Sequence, residues 1–325
     1  MKLSRMAFAA NMLINQVLEL KKDESVLIVT DTARPSSITE AIAYSAVSAG
    51  GRVMVIIMEP QSIGGEEPPA PVAAAMAAAD VVINQSTQSI THTNATRQAM
   101  KMGARIANMR NFSEDMMFNG GVNADYNKVR EVSEYLADLL TKTKIIRLTT
   151  PAGTDLTMWT EGRSAIAQTG FVTKPGMLSG LPDGEATLAP LEGRTEGVVV
   201  SPYIADELGL ITEPLKIEIK KGRILKINGG RQATALKNLL MSKDDAGYNA
   251  ASQFALGTNP ACRIVPNTRE VGKRMGTAHI AIGDNRSLNG KSASSFHIDF
   301  VFLDVSVYFD DVCIIKDGVY QIKLP

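Results

Sequence analysis

The feature that most limits this chain is the alternation of apolar runs and helical stretches through its first half. The runs are Ser25-Val-Leu-Ile-Val-Thr30, Arg52-Val-Met-Val-Ile-Ile-Met58, Asp80-Val-Val-Ile-Asn84 and Ala104-Arg-Ile-Ala107. Each is too short for a helix and nearly continuous in apolar residues, which is how strands covered on both faces read. Helical patterns lie between them, from Ser37 to Ala49, Val72 to Ala79 and Thr93 to Met102. Ser36 or Ser37 caps the first of these and Gly50-Gly51 stops it. Strand and helix in alternation predict a parallel sheet with helices on both faces. A helical start (Leu3 to Leu20) precedes this half, and a helix from Asn127 to Thr141 closes it. The expectation is a Rossmann-like α/β domain over residues 1–142.

Residues 143–325 change character. Lys144–Thr149, Asp155–Trp159, Gly197–Val200, Leu215–Ile219 and Arg223–Ile227 read as strands, the last two joined at Lys220-Lys221-Gly222 as a hairpin. Helical patterns at Gln232–Met241 and Gly247–Phe254 interrupt, and two strands at 295–308 and 312–323 end the chain. The fold class expected is therefore α/β: an N-terminal parallel-sheet domain followed by a β-rich α+β domain that carries a metal site.

The charges exclude some functions. Lys+Arg and Asp+Glu both number 34, so no basic footprint for nucleic acid or anionic lipid is present. No run approaches the ~20 apolar residues that span a bilayer. The two cysteines, Cys262 and Cys313, stand in no motif and suit a reducing, cytoplasmic setting. The first strand is followed by Thr30-Asp-Thr-Ala-Arg-Pro35 rather than by a glycine-rich dinucleotide turn.

Chemistry is sparse and clustered. Of three histidines, two lie near the end of the chain, in Gly276-Thr-Ala-His279-Ile-Ala-Ile-Gly283 and Phe296-His297-Ile-Asp299-Phe300. In an alternating strand, His297 and Asp299 leave the same face, and an imidazole beside a carboxylate can hold a divalent metal. The plain alternative is a half-exposed strand whose histidine bonds a loop. Glu185, after Pro182-Asp-Gly184, is either a solvated strand start or an inward ligand. Gln253, taken alone, reads as the surface residue of a helix end. His92 follows the third strand at its C-terminal end, where open parallel sheets place ligand groups. Its plain alternative is a helix-start residue facing solvent.

Four segments, Leu181-Pro-Asp-Gly-Glu185…Ala189-Pro190, Gly257-Thr-Asn-Pro260, Gly276-Thr-Ala-His279-Ile-Ala-Ile-Gly283 and His297-Ile-Asp299, occur in an order that resembles a known family. It is that of the M29 metal-dependent aminopeptidases (aminopeptidase T and its relatives), together with the related 2,5-dihydroxypyridine dioxygenases. In the peptidases the resemblance implies a two-metal site with Glu185, His279, His297 and Asp299 on ligand positions. Gln253 stands where those enzymes carry a second ligand glutamate, and Arg286 where they carry a tyrosine. In the dioxygenases it implies one iron held by two histidines and an aspartate, the first histidine falling at Gln253. His279, His297 and Asp299 offer a substitute two-histidine, one-carboxylate set.

The leading expectation is a metal-dependent hydrolase of aminopeptidase type using zinc, cobalt or manganese. Glu185 or Glu270 would accept the proton, and His92, Gln253 and Arg286 would line a small-molecule or short-peptide substrate. The alternative is a single-Fe(II) ring-cleaving dioxygenase, and a third reading is a metal-free binding protein with a decayed site. The resemblance also implies a homodimer.

Overall fold

The computed structural model describes residues 2–62, 65–91, 93–242 and 245–325. In chain order it contains α1 (Lys2–Met12), β1 (Ser25–Asp31), α2 (Ser36–Ser48), β2 (Arg52–Met58), α3 (Ala70–Ala78), β3 (Val81–Gln85), α4 (Asn94–Lys101), β4 (Arg105–Asn108) and α5 (Glu114–Asn119). There follow α6 (Tyr126–Lys142), β5 (Ile145–Thr149), β6 (Asp155–Trp159), β7 (Ile166–Gln168), β8 (Leu178–Gly180), β9 (Glu185–Leu188) and β10 (Thr195–Val200). Then come β11 (Ile204–Ala205), β12 (Gly209–Leu210), β13 (Leu215–Lys220), β14 (Arg223–Gly229), α7 (Arg231–Met241), β15 (Gln253–Gly257) and α8 (Thr268–Val271). The last elements are β16 (Ala278–Gly283), β17 (His297–Phe302), β18 (Ser306–Phe309), β19 (Val312–Lys316) and β20 (Val319–Tyr320).

Two units result, Met1–Tyr126 with Gly170–Asp183, and Asn127–Thr169 with Gly184–Pro325. In the first, the parallel sheet expected from the sequence forms in the order β2-β1-β3-β4-β8. Val26 to Val29 of β1 are fully buried, which is why that run shows no alternation. Leu27, Val29, Val82 and Ile106 pack with Val72, Met76, Ala95 and Ala99 of α3 and α4. The pattern reverses where β2 and β3 flank β1, the usual place for a ligand crevice. There the Asp31 carboxylate accepts hydrogen bonds from Ala33 N (3.0 Å), Thr87 N (2.5 Å) and the Thr87 hydroxyl (2.9 Å).

The second unit is built from two antiparallel sheets, ordered β14-β13-β10-β6-β5-β18-β19-β20 and β12-β11-β17-β16-β15-β9-β7. One core serves both. Leu148, Leu156, Met158 and Ile217 of the first sheet bury with Leu188, Phe254, Ile280 and Phe300 of the second, and Val132, Leu136 and Leu140 of α6 join them. The expected hairpin is present, with Lys220 paired to Arg223 and both Lys221 (φ 50°) and Gly222 (φ 66°) left-handed, as a two-residue turn requires.

Three expectations are corrected. The domain boundary is not at 142, because the apolar stripe of α6 buries in the second core and residues 170–183 return to the first unit, where β8 joins the sheet. The run 295–308 is two strands in different sheets, broken at Asp304 (φ 51°). The helix at 247–254 is a short 3₁₀ turn at Asp245–Tyr248 followed by strand β15, which β9 and β16 pair from both sides. Among the described residues no helix is long and apolar enough to cross a membrane.

Candidate functional site

Strands β9, β15, β16 and β17 lie side by side, and their register sorts every residue onto one of two faces. Leu188 pairs with Phe254, Phe254 with Ile280, and Ile280 with Phe300, all on the core face. On the opposite face stand Glu185, Thr187, Gln253, His279, His297 and Asp299. Each polar side chain there lies across from a small residue. Glu185 faces Gly257, Gln253 and Asp299 face Ala281, His279 faces Ala255, and His297 faces Gly283. Small residues between long polar ones leave room for those side chains to converge above the sheet.

The chain delivers Glu185 through a tight approach. Gly184 (φ 135°) holds a conformation L-residues rarely adopt, and a Cβ there would fall 2.7 Å from Val129 and 2.9 Å from Asn259. This gives the Pro-Asp-Gly sequence its structural reason. Glu185 is fully buried, and its Oε2 is ion-paired with Lys273 Nζ, itself only 9% exposed. Lys273 follows α8 and comes close because Gly257 has no side chain, a Cβ at that position falling 2.2 Å from the Arg274 carbonyl oxygen. His279 Nε2 lies 3.4 Å from the same Glu185 oxygen and 3.3 Å from Gln253 Nε2. The Gln253 amide donates to the Thr187 hydroxyl at 2.9 Å. His279 is buried, and its Nδ1 has no hydrogen-bond partner among the described residues.

A second group sits further along β17. His297 Nδ1 lies 2.7 Å from the Asp284 carbonyl oxygen, and His297 Nε2 is 3.1 Å from Asp299 Oδ1. The Asp299 N–H is directed at Asp206 Oδ2 (3.5 Å), while Asp206 Oδ1 accepts from the Thr268 hydroxyl at 2.5 Å. Burial works to raise the Asp299 pKa. The charge of His279, the hydrogen bond and charge of His297 and the charge of Lys273 outweigh it and hold the carboxyl well below its usual range. Burial likewise works against the His297 cation, but the Asp299 bond and charge and the Asp284 carbonyl raise its pKa to about 9. A third of the His297 side chain stays accessible, so solvent screens part of that effect.

The expected residues therefore share a face but separate into two pairings. Lys273, His279 and Gln253 gather around Glu185, and His297 pairs with Asp299. Tested as a metal centre, the face gives a divided answer. The carbonyl on His297 Nδ1 is the outer partner that leaves Nε2 to ligate, with Asp299 beside it, so this pair fits one divalent ion. A two-ion cage does not fit. Glu185 already has a cation, Gln253 is a neutral amide, and among the described residues no three His, Cys, Asp or Glu side chains stand together as a metal cage.

Other candidates are placed differently. Glu270 is fully buried, but Arg263 clasps it with Nε at 2.8 Å and Nη2 at 3.2 Å, so it ties the 263–270 loop rather than waiting to accept a proton. Arg286 bonds Asp284 at 2.6 Å and keeps 63% of its side chain exposed, so it is not a cation within the pocket. His92 lies outside the described residues. Sequence reasoning missed Lys273, Asp206 and Thr187. Lys273-Arg274 reads as ordinary surface charge, and only its glycine neighbours, Gly272 and Gly276, hint at a backbone brought close.

Comparison with known proteins agrees with both resemblances read from the motifs. The family model described as 2,5-dihydroxypyridine 5,6-dioxygenase (NicX) matches residues 7–322. The 2,5-dihydroxypyridine 5,6-dioxygenase of Pseudomonas putida KT2440 is 24% identical over 256 residues, covering 75% of this chain and 71% of that protein. Among solved structures, the 2,5-dihydroxypyridine dioxygenase from Pseudomonas putida KT2440 superposes with a TM-score of 0.78 at 19% identity, covering 98% of this chain and 97% of that one. Wild-type AmpT from Thermus thermophilus gives 0.70 at 16% identity, covering 98% and 99%. At these identities the two structures speak to the fold alone.

Proposed function

The chain belongs to the 2,5-dihydroxypyridine 5,6-dioxygenase family, and from that premise we propose that it is a single-iron oxygenase that opens a hydroxylated N-heterocyclic ring. The aminopeptidase reading, preferred on sequence, gives way to this one. The observation that supports it is the buried Glu185–Lys273 ion pair. A two-metal hydrolase needs Glu185 as a ligand and a second carboxylate near it. Here Glu185 is neutralised by an ammonium and the neighbouring position is Gln253. One donor pair remains, and one donor pair suits one ion.

His297 Nε2 and Asp299 would hold that ion, with His279 on the same face of the neighbouring strand. When bound, Fe(II) held by few protein donors supplies open positions for oxygen and for a chelating substrate. The rest falls to the chain's own groups. The Asp284 carbonyl fixes the His297 ring, and Asp206 is the outer partner on the Asp299 backbone.

The test is oxygen uptake. Protein purified without oxygen and loaded with Fe(II) should consume oxygen when 2,5-dihydroxypyridine is added, and should not when zinc or manganese replaces iron. Release of amine from aminoacyl anilides, with no iron-dependent oxygen uptake, would return the hydrolase to first place.

A further inference from the structure

We propose that Lys273 is a resident cation at the Glu185 end of the polar face, and that its ammonium occupies the place a divalent ion would otherwise take. This goes beyond the oxygenase reading, because it concerns an ion site that no ring chemistry requires.

Three observations carry it. First, the Lys273 ammonium is delivered rather than incidental. Gly257, directly across the register from Glu185, admits the Lys273–Arg274 backbone to a distance that any side chain would forbid. Second, the ammonium is shut in with its partner. The Lys273 side chain is 11% and the Glu185 side chain 1% exposed, so the pair is closed off from bulk water. Third, the groups around it form a donor set short of one charge. Glu185 Oε2 and the His279 ring lie 3.4 Å apart, and the Gln253 amide reaches Glu185 Oε1 at 3.5 Å and the His279 ring at 3.3 Å. With glutamate at 253 and no ammonium, two carboxylates and an imidazole would meet on one side of the sheet, a set suited to zinc or manganese. With glutamine and Lys273, the same space holds balanced charge and needs no ion.

The inference is tested by metal stoichiometry, read by elemental analysis after equilibration with Mn(II), on the full-length chain and three variants. Gln253→Glu alone should bind no more Mn(II) than the parent, because Lys273 still fills the space. Lys273→Met/Gln253→Glu should bind about one further ion per chain, since two carboxylates and a histidine are then free to ligate. Removing Lys273 exposes a buried carboxylate and can compromise folding, so Lys273→Met/Glu185→Gln is measured beside it. That variant deletes both charges in place, and it should stay folded by near-UV circular dichroism and keep the parent's stoichiometry. Loss of the parent's ion in Lys273→Met/Glu185→Gln would overturn the proposal, because Glu185 would then be a ligand. So would a gained ion in Gln253→Glu with Lys273 still present, or an unchanged count in folded Lys273→Met/Gln253→Glu. None of these readouts involves turnover, so failure of the oxygenase reading would leave each outcome readable.

Discussion

The two faces of one sheet in the second unit are governed by different physics. On the core face of β9, β15, β16 and β17, Leu188, Phe254, Ile280 and Phe300 are apolar, buried and held by volume. On the other face of the same strands, Glu185, Gln253 and His279 are also buried, and are held by partners. Volume is a shared property, so a loss on the core face spreads over many neighbours and no single substitution restores it. A partnership is local, so a loss on the polar face is severe when one member goes and slight when both go together.

The largest effects should show that contrast. Lys273→Met leaves a buried carboxylate without its cation and should cost about 3–5 kcal/mol in denaturant unfolding. Lys273→Met/Glu185→Gln should recover most of it. Phe300→Ala on the core face should also cost about 3–5 kcal/mol, with no polar partner whose removal gives it back. If the double variant at 185 and 273 were as unstable as the single one, the two faces would not differ in kind.

A smaller effect separates the two ends of the polar face. His297→Ala should weaken Fe(II) binding by more than the about 10–100-fold that loss of an outer-shell partner costs. Its unfolding midpoint should stay near the parent value, since the side chain is a third accessible. Unchanged iron affinity would remove the metal from this end. The smallest effect belongs to Arg286, whose exposed pair with Asp284 lies outside the pocket. Arg286→Ala should change stability by no more than about 0.5 kcal/mol and leave iron binding unaltered. A marked loss of iron would place that residue in the site after all.

The sequence carried this contrast unevenly. The shared face of His297 and Asp299 was legible, because a two-residue period says directly which side chains point together. The parallel sheet of the first unit was legible from its continuous apolar runs. Gln253 was not, since Ala-Ala-Ser-Gln-Phe-Ala-Leu carries no β-branched residue and becomes a strand only because β9 and β16 bond it on both sides. The break at Asp304 was hidden because alternation continues through it while the chain changes sheets. The state of Glu185 was hidden for a third reason. Its partner lies 88 residues away, and no local pattern reports a long-range ion pair. Motif order marks Glu185 as a candidate but does not report its ion pair with Lys273.

The central claim is that this face holds one ion at the His297–Asp299 end and an ammonium at the other. Anomalous diffraction at the iron edge, from crystals grown without oxygen and soaked in Fe(II), tests it most directly. The account predicts a single peak beside His297 Nε2 and Asp299, with Glu185 still joined to Lys273. A peak on Glu185, alone or as one of a pair, would contradict it.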